Sequence, residues 1–304
     1  MTLPATEGVS PRYAELDAWP PADVLAALWE GQMAAVAAVR PALPLIAAAV
    51  EAALPRLSTG GRLAYAGAGT SGRIGVQDGA ELPPTFDWPP DRLVLLMAGG
   101  EAALTRAVEG AEDRADRGRA EVDAAGLGAS DVLLGVAASG TTPYTLACVE
   151  AARARGALTV AVANSPDAPL LRAAEHPILV ETGPEAVSGS TRLKAGTAQK
   201  VVLNLFSTLL MTRLGRVYRG QMVDMLARNE KLRRRAERML RGLTGADPER
   251  ARAALAEADG KVKLAVLLLH GLHKAEAEAR LARHGGRLRA ALADGALADG
   301  GPTA

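Results

Sequence analysis

The sequence contains very little cysteine and almost no net charge, and both shortages exclude classes of protein. A single cysteine, Cys148, excludes an intramolecular disulfide and is interpreted as a small core residue in a predicted helix. The 35 basic and 34 acidic residues leave a formal net charge of +1, which provides no global field to attract nucleic acid or an anionic membrane. We predict no metal site, because no metal-ligand spacing joins the four histidines, His176, His270, His273 and His284.

Long apolar runs are missing too. The start "MTLPATEGVSPR" has no basic stretch followed by an apolar one, and later apolar runs are broken by Arg40, Pro41 or Pro44 or fall short of about 20 residues. We therefore expect a cytoplasmic protein without a membrane partner. Its 304 residues are enough for one α/β domain and a smaller second region.

Short apolar runs alternate with glycine-rich turns and helical periods through the middle of the chain. The strand candidates are "RLAYAG", "RLVLLMA", "DVLLGVAA", "LTVAVAN" and "HPILVE". Strands that alternate with helices predict a parallel sheet covered on both faces, because parallel strands need crossover connections. The predicted fold class is therefore α/β, with a doubly wound five-stranded parallel sheet over residues 57–215.

Helical segments flank this sheet domain. Residues 1–56 contain two alanine-rich helices that are apolar enough to pack on a neighbour or another subunit. Residues 216–243 predict one long charged helix, a solvated or subunit-contact element rather than a nucleic-acid one, because no aromatic residues interleave with its arginines. Residues 244–304 predict a small helical bundle and a frayed tail.

Three loops after predicted strands combine glycine with serine or threonine. "GAGTSGR" follows the first strand, "ASGTTPY" the third and "VSGSTRLKAGT" the fifth. Ligands of open α/β sheets bind outside the carboxyl ends of the strands, where helix N-termini attract anions. Glycine permits close backbone approach, and each hydroxyl can donate to a phosphate oxygen. The three loops together predict a cup for a compact phosphomonoester.

The first loop also matches the G-x-G-x-x-G of dinucleotide-binding folds, at Gly67, Gly69 and Gly72. That interpretation needs an acidic residue closing the second strand to bind the ribose hydroxyls, and Glu101 lies too late to fit well. A purely structural interpretation, in which the glycines pack and the hydroxyls cap helices, explains any one loop well. It explains three together poorly.

Two acidic segments accompany the loops. "GAELPPTF" places Glu81 just before Pro83 and Pro84, which should end a helix. "AVEGAEDRADR" places Glu109 and Glu112 on one face of a predicted helix. An isolated glutamate is most often a solvated charge. Two carboxylates over a phosphate cup, however, are what proton transfer at carbon requires, one as base and one as acid.

Five segments in this order resemble the N-acetylmuramic acid 6-phosphate etherase family of the sugar isomerase (SIS) superfamily: "GGRLAYAGAGTSGRIGVQDGAELPPTF", "AGGEAALTRAVEGAED", "AASGTTPY", "SGSTRLKAGTAQKVVLNLFSTLLM" and "NEKLRRRA". The resemblance implies a flavodoxin-like SIS domain followed by a small UBA-like helical domain. It also implies cleavage of the D-lactyl ether of N-acetylmuramic acid 6-phosphate, giving N-acetylglucosamine 6-phosphate and D-lactate, with no metal or redox cofactor.

The resemblance assigns roles as well. Glu81 matches the family's proton donor, expected to protonate the ether oxygen, and Glu112 its second essential glutamate, expected to remove the C2 proton. Thr141 stands where the family commonly has Arg, and Ala80 and Leu82 replace its usual Ser and Cys. The expected phosphate and sugar contacts are Thr70, Ser71, Ser139, Gly140, Thr141, Ser188, Ser190 and Lys194.

Two other functions of the superfamily stay open. A phosphosugar sensor would use the cup without chemistry, but such proteins usually carry an added DNA-binding or partner-binding segment, and no helix-turn-helix precedes the sheet domain. A ketose–aldose phosphate isomerase would use the same cup and a glutamate base. The two paired glutamate motifs favour the etherase. The apolar N-terminal helices and the resemblance also suggest a homodimer whose sites borrow residues across the interface.

Overall fold

The structure is a computed structural model that describes residues 4–225 and 230–294. The chain divides into two compact units. One unit takes the residues up to Ala80 together with Pro90–Leu209, and the other takes Glu81–Pro89 together with the chain from Leu210 onward. The N-terminal helices, predicted as a separate segment over residues 1–56, therefore belong to the same unit as the sheet.

A five-stranded parallel sheet forms the centre of the first unit, in the order β2–β1–β3–β4–β5. Each strand lies within one of the five predicted runs, and the order is that of flavodoxin-like sheets. β1, β3 and β4 are buried along their whole length, as expected for strands covered on both faces. The predicted fold class is confirmed. The strands are β1 Leu63–Gly67, β2 Leu93–Met97, β3 Val132–Val136, β4 Leu158–Ala163 and β5 His176–Leu179.

Helices connect and cover these strands. α5 packs on β1, β3 and β4, and α2 packs on β3, β4 and β5. α3 starts in the first unit and ends in the second, and so does α7. The helices are α1 Pro21–Ala38, α2 Leu43–Ser58, α3 Gly69–Phe86, α4 Ala115–Ala124, α5 Pro143–Ala154, α6 Pro169–Ala173 and α7 Lys194–Arg213.

The two N-terminal helices differ in burial. By length and composition, the segment Pro21–Ser58 is apolar enough to cross a membrane. α2 is nevertheless a core helix, because Ala49, Val50 and Ala53 are fully buried against the sheet. α1 instead presents an exposed apolar stripe at helical spacing. This stripe consists of Leu25, Trp29, Met33 and Val36.

The second unit contains a small helical core. α8 is amphipathic and buries Ala236, Met239, Leu240 and Leu243 beneath an arginine-rich outer face. Shorter helices complete the core. The helices are α8 Glu230–Thr244, α9 Pro248–Glu257, α10 Val262–Leu269, α11 Lys274–Arg283 and α12 Leu288–Ala293.

The segment before α8 differs from the predicted long helix over 216–243. Val217–Tyr218 (β6) and Gln221–Met222 (β7) pair antiparallel around Arg219 and Gly220, whose φ values are 45° and 72°. Two consecutive positive φ angles are the geometry of a two-residue hairpin, which a helix does not allow. Residues 226–229 of the predicted helix and residues 295–304 of the predicted frayed tail lie outside the described residues.

Candidate functional site

The first predicted phosphate loop forms the start of α3. β1 ends at Gly67 and α3 begins at Gly69, so Thr70 and Ser71 lie in the first helical turn. A Cβ on Gly67 would lie 2.7 Å from the Cα of Gly72, so only glycine allows this close approach of strand and helix. The first N–H groups of a helix have no partner within the helix and attract anions. The glycine pattern is thus required by the turn itself, whichever anion binds there.

The loop after β3 presents two hydroxyls beside a second helix start. The hydroxyls of Ser139 and Thr141 lie 2.9 Å apart, and the Thr141 N–H donates to Ser139 Oγ at 3.3 Å. Gly140 has a φ of 66°, and a Cβ there would lie 2.4 Å from the Cβ of Ala168. α5 then begins after Thr142, whose side chain makes no capping hydrogen bond. This loop therefore leaves its helix N-terminus open.

These two loops lie side by side. β1 and β3 are paired parallel, with Gly67 opposite Val136, so both loops leave the same edge of the sheet. The strand order reverses between β1 and β3, and ligands of open α/β sheets bind at such a switch point. Thr70, Ser71, Ser139, Gly140 and Thr141 thus belong to two adjoining loops at the place where an anion is expected.

The third loop differs because a carboxylate closes the helix that follows it. Glu185 is 1% exposed and accepts hydrogen bonds from the backbone N–H groups of Lys194 and Ala195, each at 2.9 Å. Those N–H groups are the ones that an external anion would bind at the start of α7. The protein's own carboxylate occupies this helix N-terminus.

The other predicted contacts in this region bind the protein itself. Lys194 Nζ donates to the Thr182 carbonyl at 2.7 Å. Burial lowers the pKa of Lys194, against the attraction of Glu185. Ser188 Oγ donates to the carbonyl of Gly8 at 3.3 Å, and the Ser190 N–H donates within the loop to the Val187 carbonyl at 3.0 Å. Ser188 thereby joins the loop to the N-terminal segment.

Glu112 is exposed in a short 3₁₀ turn, Ala111–Asp113. The prediction of one helix carrying Glu109 and Glu112 on a shared face is wrong, because Gly110 between them has a φ of 66° and interrupts the helix. Glu109 lines a cleft of about 510 Å³ at the end of β2. The position of Glu112 is therefore set by the turn at Gly110 and not by a regular helix.

Glu81 is an exposed residue of α3. The expectation that the proline pair ends the helix directly after it is wrong, because α3 continues through Pro83 and Pro84 to Phe86. The helix instead ends where Asp87 adopts a left-handed conformation, with a φ of 51°. Glu81 thus lies on a helical turn and not at the end of the element.

A buried carboxylate that the motifs did not indicate anchors α3. Asp78 is 5% exposed and accepts hydrogen bonds from the Tyr65 hydroxyl at 2.8 Å, from Asn204 Nδ2 at 2.6 Å and from Ser207 Oγ at 3.2 Å. Burial raises the pKa of Tyr65 well above its usual range, and the Asp78 charge adds to the effect. Helical spacing could have indicated that Asp78 is buried, because it lies three residues after Gly75 and on the same buried side of α3.

Cys148 is fully buried, as interpreted from the sequence, and burial raises its pKa to about 12. The thiol is therefore protonated at neutral pH. Within residues 4–225 and 230–294, no group of three or more His, Cys, Asp or Glu side chains is arranged to hold a metal ion.

Comparison with known proteins gives two family matches. The glucokinase regulatory protein N-terminal SIS domain matches residues 45–153, and the SIS domain matches residues 119–209. Among solved structures, a phosphoheptose isomerase from Francisella tularensis aligns at a TM-score of 0.49 and 19% identity, over 64% of this chain and 100% of that chain.

Several relatives cover almost the whole chain, and two of them, both named N-acetylmuramic acid 6-phosphate etherase, illustrate the match. The one from Deinococcus radiodurans is 54% identical over 291 residues, which are 95% of this chain and 95% of the relative. The one from Streptomyces coelicolor is 51% identical over 290 residues, 95% and 93% of the two chains. Identity at this level over nearly the full length of both chains shows that this chain belongs to the N-acetylmuramic acid 6-phosphate etherase family.

Proposed function

We propose that this protein is a cytoplasmic lyase that cleaves the D-lactyl ether of N-acetylmuramic acid 6-phosphate. The products are N-acetylglucosamine 6-phosphate and D-lactate, and the reaction serves the recycling of cell-wall amino sugars. The observation that carries the proposal is the near-full-length identity to relatives of that name. The hydroxyl-bearing loops at the β1/β3 switch point support it independently, because they suit a sugar phosphate.

The 6-phosphate of the sugar binds at the starts of α3 and α5. Two helix N-termini and several hydroxyls supply donors there, and an anion gains from both. The start of α7 is closed by Glu185, so the Ser188 and Ser190 loop contacts the neutral part of the sugar. Lys194 contributes positive charge and further donors, because its ammonium carries three N–H groups and the Thr182 carbonyl accepts from one of them. The proposed phosphate contacts are Thr70, Ser71, Ser139, Gly140 and Thr141.

The reaction is an elimination followed by hydration of the open-chain sugar. The C1 aldehyde acidifies the proton on C2, and Glu112 removes it. Glu81 protonates the ether oxygen as the C3–O bond breaks and lactate leaves. Water then adds its oxygen to C3 of the unsaturated aldehyde, and a proton returns to C2. The sugar is neither oxidised nor reduced overall, so the scheme calls for no redox cofactor, and general acid–base catalysis supplies the rate.

The test is D-lactate release from N-acetylmuramic acid 6-phosphate in water enriched in ¹⁸O. We expect D-lactate to appear and the label to enter the C3 hydroxyl of the amino sugar, because C3–O is the bond that breaks. Label in the lactate hydroxyl would contradict the elimination. Hexose 6-phosphates serve as parallel substrates, since an isomerase would interconvert them without forming lactate and a sensor would bind sugar phosphates without turnover.

We further propose that the protein is a homodimer that pairs through the exposed stripe of α1. Leu25 and Trp29 are 67% and 65% exposed, and a monomer would leave this uncharged stripe in water. A second copy suits it because two-fold symmetry brings the same stripe from both chains together. Light scattering should give twice the chain mass of 31.3 kDa, and Trp29→Lys should halve the measured mass. A monomeric wild-type protein would contradict the dimer.

A further inference from the structure

The N-terminal segment is held on the carboxyl edge of the sheet at two points. Thr6 is fully buried, and its hydroxyl lies 3.3 Å from that of Ser165, which follows β4. Ser188, in the loop after β5, donates to the carbonyl oxygens of Glu7 and Gly8 at 3.5 and 3.3 Å. Residues 6–8 therefore run across the ends of β4 and β5.

This attachment places the Glu7 carboxylate at a loop proposed to contact substrate. Glu7 is exposed, and its Oε2 lies 3.5 Å from the position that a Cβ on Gly189 would take. Gly189 stands between Ser188 and Ser190, the two proposed sugar contacts. Within the part of the chain that the structure describes, no cationic side chain pairs with Glu7. The Glu7 carboxylate is thus an exposed acceptor beside the loop of Ser188 and Ser190.

The charge of Glu7 restricts what it can bind. A carboxylate repels the phosphate and the lactyl carboxylate of the substrate, and it accepts hydrogen bonds from neutral O–H and N–H groups. Glu185, on the same side of the edge, is not a second acceptor for the sugar, because it is buried and both of its oxygens accept backbone N–H groups of α7. The helix starts on the β1/β3 side suit the phosphate, and Glu7 on the β5 side suits a neutral O–H or N–H donor, so a sugar phosphate that bridges them has one favoured orientation.

We propose that Glu7 is a substrate-binding residue that accepts a hydrogen bond from a neutral donor of the sugar, a hydroxyl or the amide N–H. This inference rests on the proposed function, because it needs a phosphosugar at this edge. Phosphate binding at the β1/β3 side and sugar binding at Glu7 are separate contacts. Removing the Glu7 carboxylate therefore weakens binding of the sugar phosphate while leaving binding of inorganic phosphate unchanged.

The experiment measures D-lactate release by Glu7→Ala and Glu7→Gln, with inorganic phosphate as a competitive inhibitor. Loss of a charged hydrogen bond should raise KM about 10- to 100-fold with kcat changed by less than about 2-fold. Glu7→Gln should fall between the wild type and Glu7→Ala, because its amide oxygen still accepts. Glu15→Gln, a change at another exposed glutamate of the N-terminal region, is the matched control and should leave KM unchanged.

An unchanged KM in Glu7→Ala would overturn the inference. A parallel rise in the inhibition constant of inorganic phosphate would also overturn it, because the segment would then be only a structural support of the whole edge. If the wild type releases no D-lactate, the proposed function fails, and calorimetry with N-acetylglucosamine 6-phosphate takes over as the readout. Equal binding of that sugar by wild type and Glu7→Ala, or no binding by the wild type, would then reject the role of Glu7.

Discussion

α5 and α7 each follow a strand of the same sheet and a loop rich in Ser, Thr and Gly. The two helices differ in whether a side chain caps the N-terminus. α5 begins without a side-chain cap, whereas the buried carboxylate of Glu185 binds two N–H groups of α7. An anion site at a helix start needs N–H groups that no internal acceptor occupies. Similar loop sequences can therefore have different roles, and a residue outside the shared motif decides between them.

The largest expected effect concerns the two glutamates proposed for the chemistry. Glu81→Gln and Glu112→Gln should each lower the rate of D-lactate release by about 10²- to 10⁴-fold, the range typical of a lost general acid or base. Binding of the sugar phosphate, measured by calorimetry, should stay within about 3-fold, because the donors at α3 and α5 are intact.

Glu109→Gln is the matched control for Glu112, since it alters a carboxylate three residues away on the other side of Gly110. We expect near-normal turnover from it. Full activity in Glu112→Gln, or equal losses in both variants, would reject Glu112 as the base.

The next effect tests why α7 differs from α5. Glu185→Ala should lower the free energy of unfolding by about 2–3 kcal/mol, because two backbone N–H groups lose a charged, buried acceptor. Phosphate at tens of millimolar should raise the melting temperature of this variant more than that of the wild type, since the helix start is then open to an external anion.

Glu181→Ala, a change at an exposed carboxylate four residues earlier, should leave both readouts at their wild-type values. If phosphate stabilises Glu185→Ala no more than the wild type, then Glu185 does not keep an anion site closed. The contrast between the two helix starts would lose its energetic basis.

The sheet was predictable because each strand is a short apolar run between turn signals, and the fold places such runs in a buried parallel sheet. The phosphate loops were predictable for a related reason, since Gly67 and Gly140 are required by local backbone geometry and so are visible in the sequence. Features that depend on one turn were less accessible. Gly110 interrupts the helix that was predicted beside Glu112. The hairpin at Arg219–Gly220 stands where the long helix over 216–243 was predicted to begin.

Long-range partners were not predictable. The sequence shows Glu185 and Asp78 only as acidic residues, and their roles depend on which backbone or side-chain groups the fold brings to them. The docking of Thr6 beside Ser165 joins residues 159 positions apart. Motif spacing carries no information about such contacts, which is why the closed start of α7 and the position of Glu7 came only from the structure.

A smaller effect is expected when one hydroxyl is removed, either from the β1/β3 side or from the loop after β5. Ser71→Ala should weaken inhibition by inorganic phosphate about 10-fold, the effect of one lost hydrogen bond to a charged group. Ser188→Ala removes a hydroxyl that donates to the N-terminal segment, and it should leave the inhibition constant of inorganic phosphate unchanged. Equal losses in the two variants would show that phosphate is not confined to the β1/β3 side.

The smallest effect is a pH dependence on the α7 side. Burial lowers the pKa of Lys194 in the folded protein, so between that value and the ordinary lysine value the unfolded chain binds more protons than the folded one. Stability contributed by this site should therefore rise with pH through that window and level off above about 10.4, the ordinary lysine pKa. Lys194→Met should remove this part of the slope in urea unfolding measured from pH 8 to 10.5. An identical slope in both proteins would mean that Lys194 titrates alike in the folded and unfolded states, and that the ammonium held at Thr182 is as well solvated as a surface lysine.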